Sequence, residues 1–202
     1  MTANRNKKIL KRSDTLLLVI DVQERILKVI REYEKMIENI IKLVKGAKTL
    51  NVPVVFTEQY PKGLGPTTRL LKEEVEGYDL IEKMSFSCYG AGVTVDDYSA
   101  GETPPSGALF EYLQSNEIKQ IVVCGIESHV CVQQTVLDLL ENGYQVNLVA
   151  DAVSSRKKID YETALLRMAS NGAEVTTTES VLFELLNICG TPEFKAISKL
   201  VK

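Results

Sequence analysis

Asp21 closes the apolar run at residues 15–20, Lys83 stands just beyond the run at 78–81, and Cys131 follows the run at 121–124 after a short turn. An acid, a cation and a thiol at the ends of such runs combine a possible base, an electrostatic partner and a nucleophile. Cys131 is expected in the first turn of a helix, behind the turn that contains Gly125. Free N–H groups and the positive end of the helix dipole favour a thiolate there and can hold a developing oxyanion. On that reading iodoacetamide labels Cys131 ahead of Cys88 or Cys189. The only histidine, His129, lies two residues from Cys131. Helix positions i and i+2 point about 200° apart, so His129 is expected at the pocket rim or as a helix cap and not as the base. That role falls to Asp21, placed to take the thiol proton, with Lys83 holding acid and thiolate together. Gln59 and Tyr60, after the second run, are expected to line the pocket with His129. The plainer alternatives are Asp21 as a helix cap, Lys83 as a solvated surface residue and a free cysteine as buried filler, which is how Cys124 reads.

The elements that must position these residues follow from hydrophobic spacing. TLLLVI at 15–20 reads as a strand buried on both faces. Ile26, Ile30, Tyr33, Ile37, Ile40, Ile41 and Val44 predict one long amphipathic helix. Strands are predicted at 52–56, 78–81, 121–124, 145–150 and 174–177, and helices at 130–140, 161–170 and 180–186. This alternation predicts a single domain over 1–202, a three-layer αβα arrangement around a mostly parallel sheet. Ligands of such sheets bind outside the carboxyl ends of the strands, where strand order reverses. Residues 85–107 show neither period and predict a lid, a binding loop, a partner surface or a plain surface excursion. In the C-terminal segment 191–202, Phe194, Ile197, Leu200 and Val201 form a small apolar face. Its expected partner is the domain's own core or a second subunit.

Composition excludes several function classes. The chain has 202 residues, 45% hydrophobic and 25% charged, with 24 basic against 27 acidic side chains. A net charge of −3 supplies no broad cationic field, so no nucleic-acid partner is expected. One histidine rules out a zinc site built on two or three histidines of one chain. The four cysteines show no C-x-x-C spacing. That predicts a reducing cytoplasm, and the absence of a resolving cysteine near Cys131 in sequence counts against a thiol redox protein. The basic residues of 1–12 precede no apolar segment and read as a solvated arm, not a signal peptide. No apolar run approaches the ~20 residues that span a bilayer, so no membrane partner is expected. Gly63-Leu64-Gly65 and Gly90-Ala91-Gly92 lie outside any strand-to-helix turn and predict no dinucleotide site.

The segments LLLVIDVQERIL (16–27), IEKMSFS (81–87) and VVCGIESHVCVQQTVLDLLENGYQVNLVADAVSSR (122–156) resemble the isochorismatase-like, or cysteine hydrolase, superfamily. The resemblance spans about residues 14–188 and looks closest to the isochorismatase domain-containing proteins. It implies a Rossmann-like fold with a six-stranded parallel sheet, a homo-oligomer, and an Asp–Lys–Cys catalytic set matching Asp21, Lys83 and Cys131. It also implies a cis peptide at Ile126–Glu127 and an oxyanion hole from the N–H groups of Glu127 and Cys131. The implied chemistry is thiolate attack on a carbonyl, release of an amine and hydrolysis of a thioester. The nicotinamidase branch carries Asp-x-His after strand two, where this chain has Thr57-Glu58-Gln59. No metal and no cofactor are therefore expected. Isochorismatases that cleave a vinyl ether generally lack the thiol that this chain carries. The expected function is a metal-independent cysteine hydrolase of a small amide or related C–N bond, or alternatively a catalytically silent interaction protein using the insert and C-terminal segment.

Overall fold

The computed structural model describes residues 5–91 and 107–202. In chain order the elements are β1 (Thr15–Ile20), α1 (Glu24–Leu27), α2 (Tyr33–Leu50), β2 (Val54–Gln59), α3 (Pro61–Leu64), α4 (Lys72–Val75), β3 (Asp79–Lys83), α5 (Ala108–Ser115), β4 (Gln120–Ile126), α6 (Gln133–Glu141), β5 (Gln145–Ser154), α7 (Lys158–Ser170), β6 (Glu174–Thr176), α8 (Thr178–Leu186) and α9 (Pro192–Leu200). The strands form one six-stranded sheet in the order β3-β2-β1-β4-β5-β6, and every pairing is parallel. The order reverses between β1 and β4, which fixes the ligand-binding end of the sheet.

Alternation along the strands feeds two cores. Leu17 and Val19 of β1 face the layer that holds Ile40, Leu43, Val181 and Leu182 of α2 and α8. Leu16, Leu18 and Ile20 face the layer of Leu109, Leu113, Val136 and Leu139 of α5 and α6. The central strands β1 and β4 are buried throughout, as strands covered by helices on both faces must be. The edge strand β3 is buried only at Lys83, and its charged, exposed remainder suits an edge that must not recruit another strand.

The single long helix expected from the apolar spacing is two helices. Residues 28–32 interrupt it, with Glu32 in the left-handed region at φ 48°. Ile30 is nevertheless buried, so the apolar period crosses a break in the backbone that it cannot report. The expected helix at 130–140 begins instead with a π turn, Ser128–Val132, before α6. Of the irregular segment 85–107, residues 92–106 lie outside the described residues; its two ends meet where the Gly107 N–H donates to the Tyr89 carbonyl at 2.9 Å. The C-terminal helix docks on the domain's own core, with Ile197 fully buried and Phe194, Leu200 and Val201 packed around it.

Gly125 marks the closest backbone approach at the switch point. Its φ is +110°, and a Cβ there would lie 2.1 Å from the Ile20 carbonyl oxygen, inside any permissible contact. Only glycine lets β4 pass so near the end of β1. Gly125→Ala is expected to lower the unfolding free energy by about 2 kcal/mol or more, as read from urea denaturation. A loss within about 0.5 kcal/mol, the range of a neutral surface change, would contradict this packing argument.

Candidate active site

Asp21, Lys83 and Cys131 come from the ends of β1, β3 and β4 and meet at one rim of the sheet. Asp21 ends β1 in the left-handed region at φ 51°. Its backbone N–H donates to the Thr57 carbonyl of β2 at 3.2 Å. Lys83, the last residue of β3, is 1% exposed, and its Nζ lies 2.6 Å from Asp21 Oδ2. The ammonium also donates to Gln59 Oε1 at 2.9 Å and to the carbonyls of Ser85 and Phe86 at 3.2 and 2.9 Å. Thr57 Oγ1 donates to the other carboxylate oxygen of Asp21 at 2.7 Å. Cys131 lines the same cavity as Asp21, and the nearby carboxylate raises the pKa of its thiol.

Cys131 opens onto a cavity of about 370 Å³ lined by Asp21, Ile26, Gln59, Leu64, Phe86, Ile126, Glu127, Val130 and Arg156. Its wall is largely apolar, with Asp21, Glu127 and Arg156 as its charged residues. The Glu127 carboxylate accepts from the backbone N–H and the Nε of Arg156, both at 3.1 Å. The Ile126–Glu127 peptide is cis, as the sequence resemblance implies. The other positions expected at the pocket divide. Gln59 lines it, whereas Tyr60 turns outward, 47% exposed, and stays off the wall. His129 also lies off the wall: its Nδ1 pairs with Ser155 Oγ at 3.0 Å and its Nε2 faces Asp160 at 3.9 Å. Phe86 and Arg156 carry no spacing signal in the sequence and were not among the expected site residues.

The electrostatics correct one expectation. Burial pushes the Cys131 thiol well above its ordinary value, and the Asp21 carboxylate raises it further, against the opposing pull of Lys83. The resting sulfur therefore keeps its proton; helix-terminal stabilisation of a thiolate does not prevail in a site this dry. Cys189 is exposed and Cys131 buried, so the structure leads to the opposite expectation: a general alkylating reagent meets Cys189 first. Burial would pull Lys83 down, but Asp21, and behind it Cys88 and Cys131, hold its ammonium above the usual lysine value.

Thr57, Glu58 and Gln59 are each occupied by protein partners. Thr57 serves Asp21 and Gln59 serves Lys83, while Glu58 Oε1 accepts from the Thr67 hydroxyl at 2.8 Å and from its N–H. Among the described residues no group of three His, Cys, Asp or Glu side chains is placed to hold a metal ion. Nor is any helix among them long and apolar enough to cross a membrane.

The profile of the isochorismatase domain matches residues 15–180. The chain belongs to the isochorismatase family. It is 39% identical over 189 residues to isochorismatase domain-containing protein 2 of Xenopus laevis, covering 93% of this chain and 83% of that protein. It is 39% identical over 193 residues to the secreted isochorismatase effector Isc1 of Phytophthora sojae, covering 93% of this chain and 84% of that protein. Among solved structures, the MAR1 ribonuclease of Caenorhabditis elegans matches with a TM-score of 0.81 at 34% identity, covering 95% of this chain and 91% of that one. Membership in the isochorismatase family supports hydrolase chemistry at a general level.

Two measurements check the electrostatic account. Lys83→Met leaves the Asp21 carboxylate buried without its cation and is expected to cost about 3–5 kcal/mol of stability in urea unfolding. The second concerns pH. A thiol whose folded value is raised binds its proton more tightly in the folded protein than in the unfolded chain. Its contribution is complete below the ordinary 9.0 and is lost as pH rises through the folded value, about 11 for Cys88. Cys124 and Cys131 are raised in the same direction by burial. Stability is expected to be level between pH 7 and 8 and to fall above pH 9, each thiol removing up to about 1.4 kcal/mol per pH unit. Cys124→Ala should make that fall shallower by one thiol's share; an unchanged slope would remove Cys124 from the account.

Proposed function

We propose that this protein is a metal-independent cysteine hydrolase that cleaves a small amide or related C–N bond through a thioester on Cys131. The observation that carries the proposal is the Lys83–Asp21 pair at 2.6 Å, with the Cys131 thiol on the wall of the same cavity as that carboxylate. A substrate carbonyl placed in the cavity meets the sulfur. As the C–S bond forms, the thiol proton passes to Asp21, so ionisation and attack occur together and no free thiolate has to build up in the buried site. The carbonyl oxygen, gaining charge, is received by the N–H groups of Glu127 and Cys131. Collapse of the intermediate breaks the C–N bond, and the leaving nitrogen takes the proton from Asp21. Water then cleaves the thioester, with Asp21 accepting its proton and returning it to sulfur. Lys83 keeps the carboxylate in place throughout.

The substrate features that fit are a compact apolar body against Ile26, Leu64, Phe86 and Val130 and an anionic end facing Arg156. Nε of that guanidinium is engaged by Glu127, and its terminal nitrogens form the planar fork suited to a carboxylate. No nucleic acid has a place in this reading, because the net charge is −3. The proposed assembly is a cytoplasmic homo-oligomer, in keeping with four free cysteines.

A panel of small amides, with and without a distal carboxylate, tests the proposal by amine release. Cys131→Ala is expected to abolish turnover, and Asp21→Asn to lower it by about 10²–10⁴-fold, both with native circular dichroism. Chelation by EDTA is expected to leave the rate unchanged. Undiminished turnover in either variant would overturn the assigned chemistry. No hydrolysis across the panel, together with a stable protein complex in pull-down, would favour a silent interaction protein.

A further inference from the structure

The proposed hydrolysis leaves one buried thiol of the site unused. Cys88, just past Lys83, has no exposed surface. It lies in the same core layer as Cys131, while Cys124 lies in the layer across the sheet. Its backbone N–H donates to Thr135 Oγ1 at 2.9 Å, and the same hydroxyl donates to the Cys131 carbonyl at 2.7 Å. Those two bond lengths bound the distance from the Cys88 amide nitrogen to the Cys131 carbonyl oxygen. The Cys88 side chain points toward the site as well: its Sγ lies 3.8 Å from Thr57 Oγ1, which donates to Asp21, a carboxylate on the same cavity as Cys131. Each thiol feels the Lys83 ammonium and the Asp21 carboxylate, and Cys131 feels Cys88 directly. A disulfide needs Cα atoms about 4.4–6.8 Å apart, and the shared Thr135 hydroxyl holds the two backbones as near neighbours.

We propose that Cys88 and Cys131 form a reversible intramolecular disulfide when a hydroperoxide enters the cavity, with Cys131 oxidised first and Cys88 resolving it. Access sets the order. Cys131 lines the cavity, whereas Cys88 is reached only from inside the core. In the first step the Cys131 sulfur attacks one peroxide oxygen; an S–O bond forms, the O–O bond breaks, and the thiol proton leaves with the departing oxygen. With hydrogen peroxide the products are a sulfenic acid and water. In the second step the Cys88 sulfur attacks that sulfenic sulfur; the S–S bond forms, the S–O bond breaks, and the Cys88 proton leaves with hydroxide as a second water. Two thiols lose two electrons and the peroxide gains them. The bond holds the Cys131 sulfur away from Asp21 and from further oxidation until a reducing thiol reopens it. This requires only that Cys131 face the cavity, and not that it be a hydrolytic nucleophile.

The test uses the full chain with Cys189→Ser, which removes the exposed thiol that can pair between molecules. The protein is treated with a small excess of hydrogen peroxide, then alkylated in denaturant and mapped by mass spectrometry. The expected result is a monomer that has lost two hydrogen atoms, a peptide linking Cys88 to Cys131, Cys124 alkylated as before, and full recovery of both thiols with dithiothreitol. Adding Cys88→Ala should turn the same exposure into sulfinic and sulfonic acid on Cys131 that dithiothreitol does not reverse, at least about tenfold more than with Cys88 present. The proposal is overturned if Cys131 gains those oxygens while Cys88 stays free, or if neither thiol changes. The first arm stands without the Cys88 variant, so a folding defect in that variant leaves the test intact. Loss of amidase activity in Cys131→Ala with no disulfide formed would sink this inference alone; a disulfide without amidase activity would sink the hydrolase alone.

Discussion

A lysine and an aspartate with almost no contact with water face each other at 2.6 Å, and the surrounding chain is arranged to make that burial tolerable. Moving either charge out of water costs several kcal/mol, which a bare pair does not recover. Here every remaining valence is used. The free oxygen of Asp21 takes the Thr57 hydroxyl, and the ammonium of Lys83 takes the amide oxygen of Gln59 and two main-chain carbonyls. Gln59 is held in turn by Gln23, whose Oε1 accepts from the Gln59 N–H at 2.9 Å while its Nε2 donates to the Gln59 carbonyl at 3.0 Å. The ends of β1, β2 and β3 are thereby tied to one ion pair. Because Ser85 and Phe86 must aim their carbonyls at the ammonium, the chain after β3 curls back over the site. That curl brings Phe86 to the cavity wall and carries the chain on to Cys88 in the core.

The same dryness governs the sulfur. A site that excludes water strengthens the pair but penalises a third charge. A resting thiolate beside Asp21 would add a second anion facing one ammonium. A shared proton between Asp21 and sulfur avoids it, because negative charge then moves from one atom to another without its total changing. This favours attack coupled to proton transfer over a preformed nucleophile.

Much of the frame was legible because the central strands β1 and β4 are short, largely apolar and buried on both faces. β1 matches its expected limits, and the polar residues directly after β1 and at the end of β3 are the ones that form the pair. What escaped has physical causes. The break at residues 28–32 keeps Ile30 buried, so the helical period runs on across a kink. Tyr60 and His129 are close in sequence to site residues, yet backbone geometry turns each away: Tyr60 stands in the left-handed region at φ 41°, and His129 sits in a π turn against Ser155. The helix dipole was the right local effect for Cys131, but burial and a neighbouring carboxylate outweigh it, and both arise from chain segments far away in sequence. Phe86, Arg156 and Cys88 belong to the site through tertiary contact alone.

The base of the irregular segment shows how such a site tolerates variation beside it. Ser87 Oγ donates to Asp138 and the Cys88 N–H to Thr135, so α6 grips the outgoing strand of the chain one turn from Cys131. The returning strand is fixed by the Gly107 N–H on the Tyr89 carbonyl. Gly107 permits this approach, since a Cβ there would fall 2.0 Å from the Ala91 carbonyl oxygen. Outgoing and returning chain are thus clamped to each other and to the helix that follows Cys131. Loop-closure entropy is met at that clamp, and lengthening a loop already closed at its base adds only slowly to the cost. The clamp thereby separates the Asp21–Lys83 pair mechanically from sequence change between the two ends.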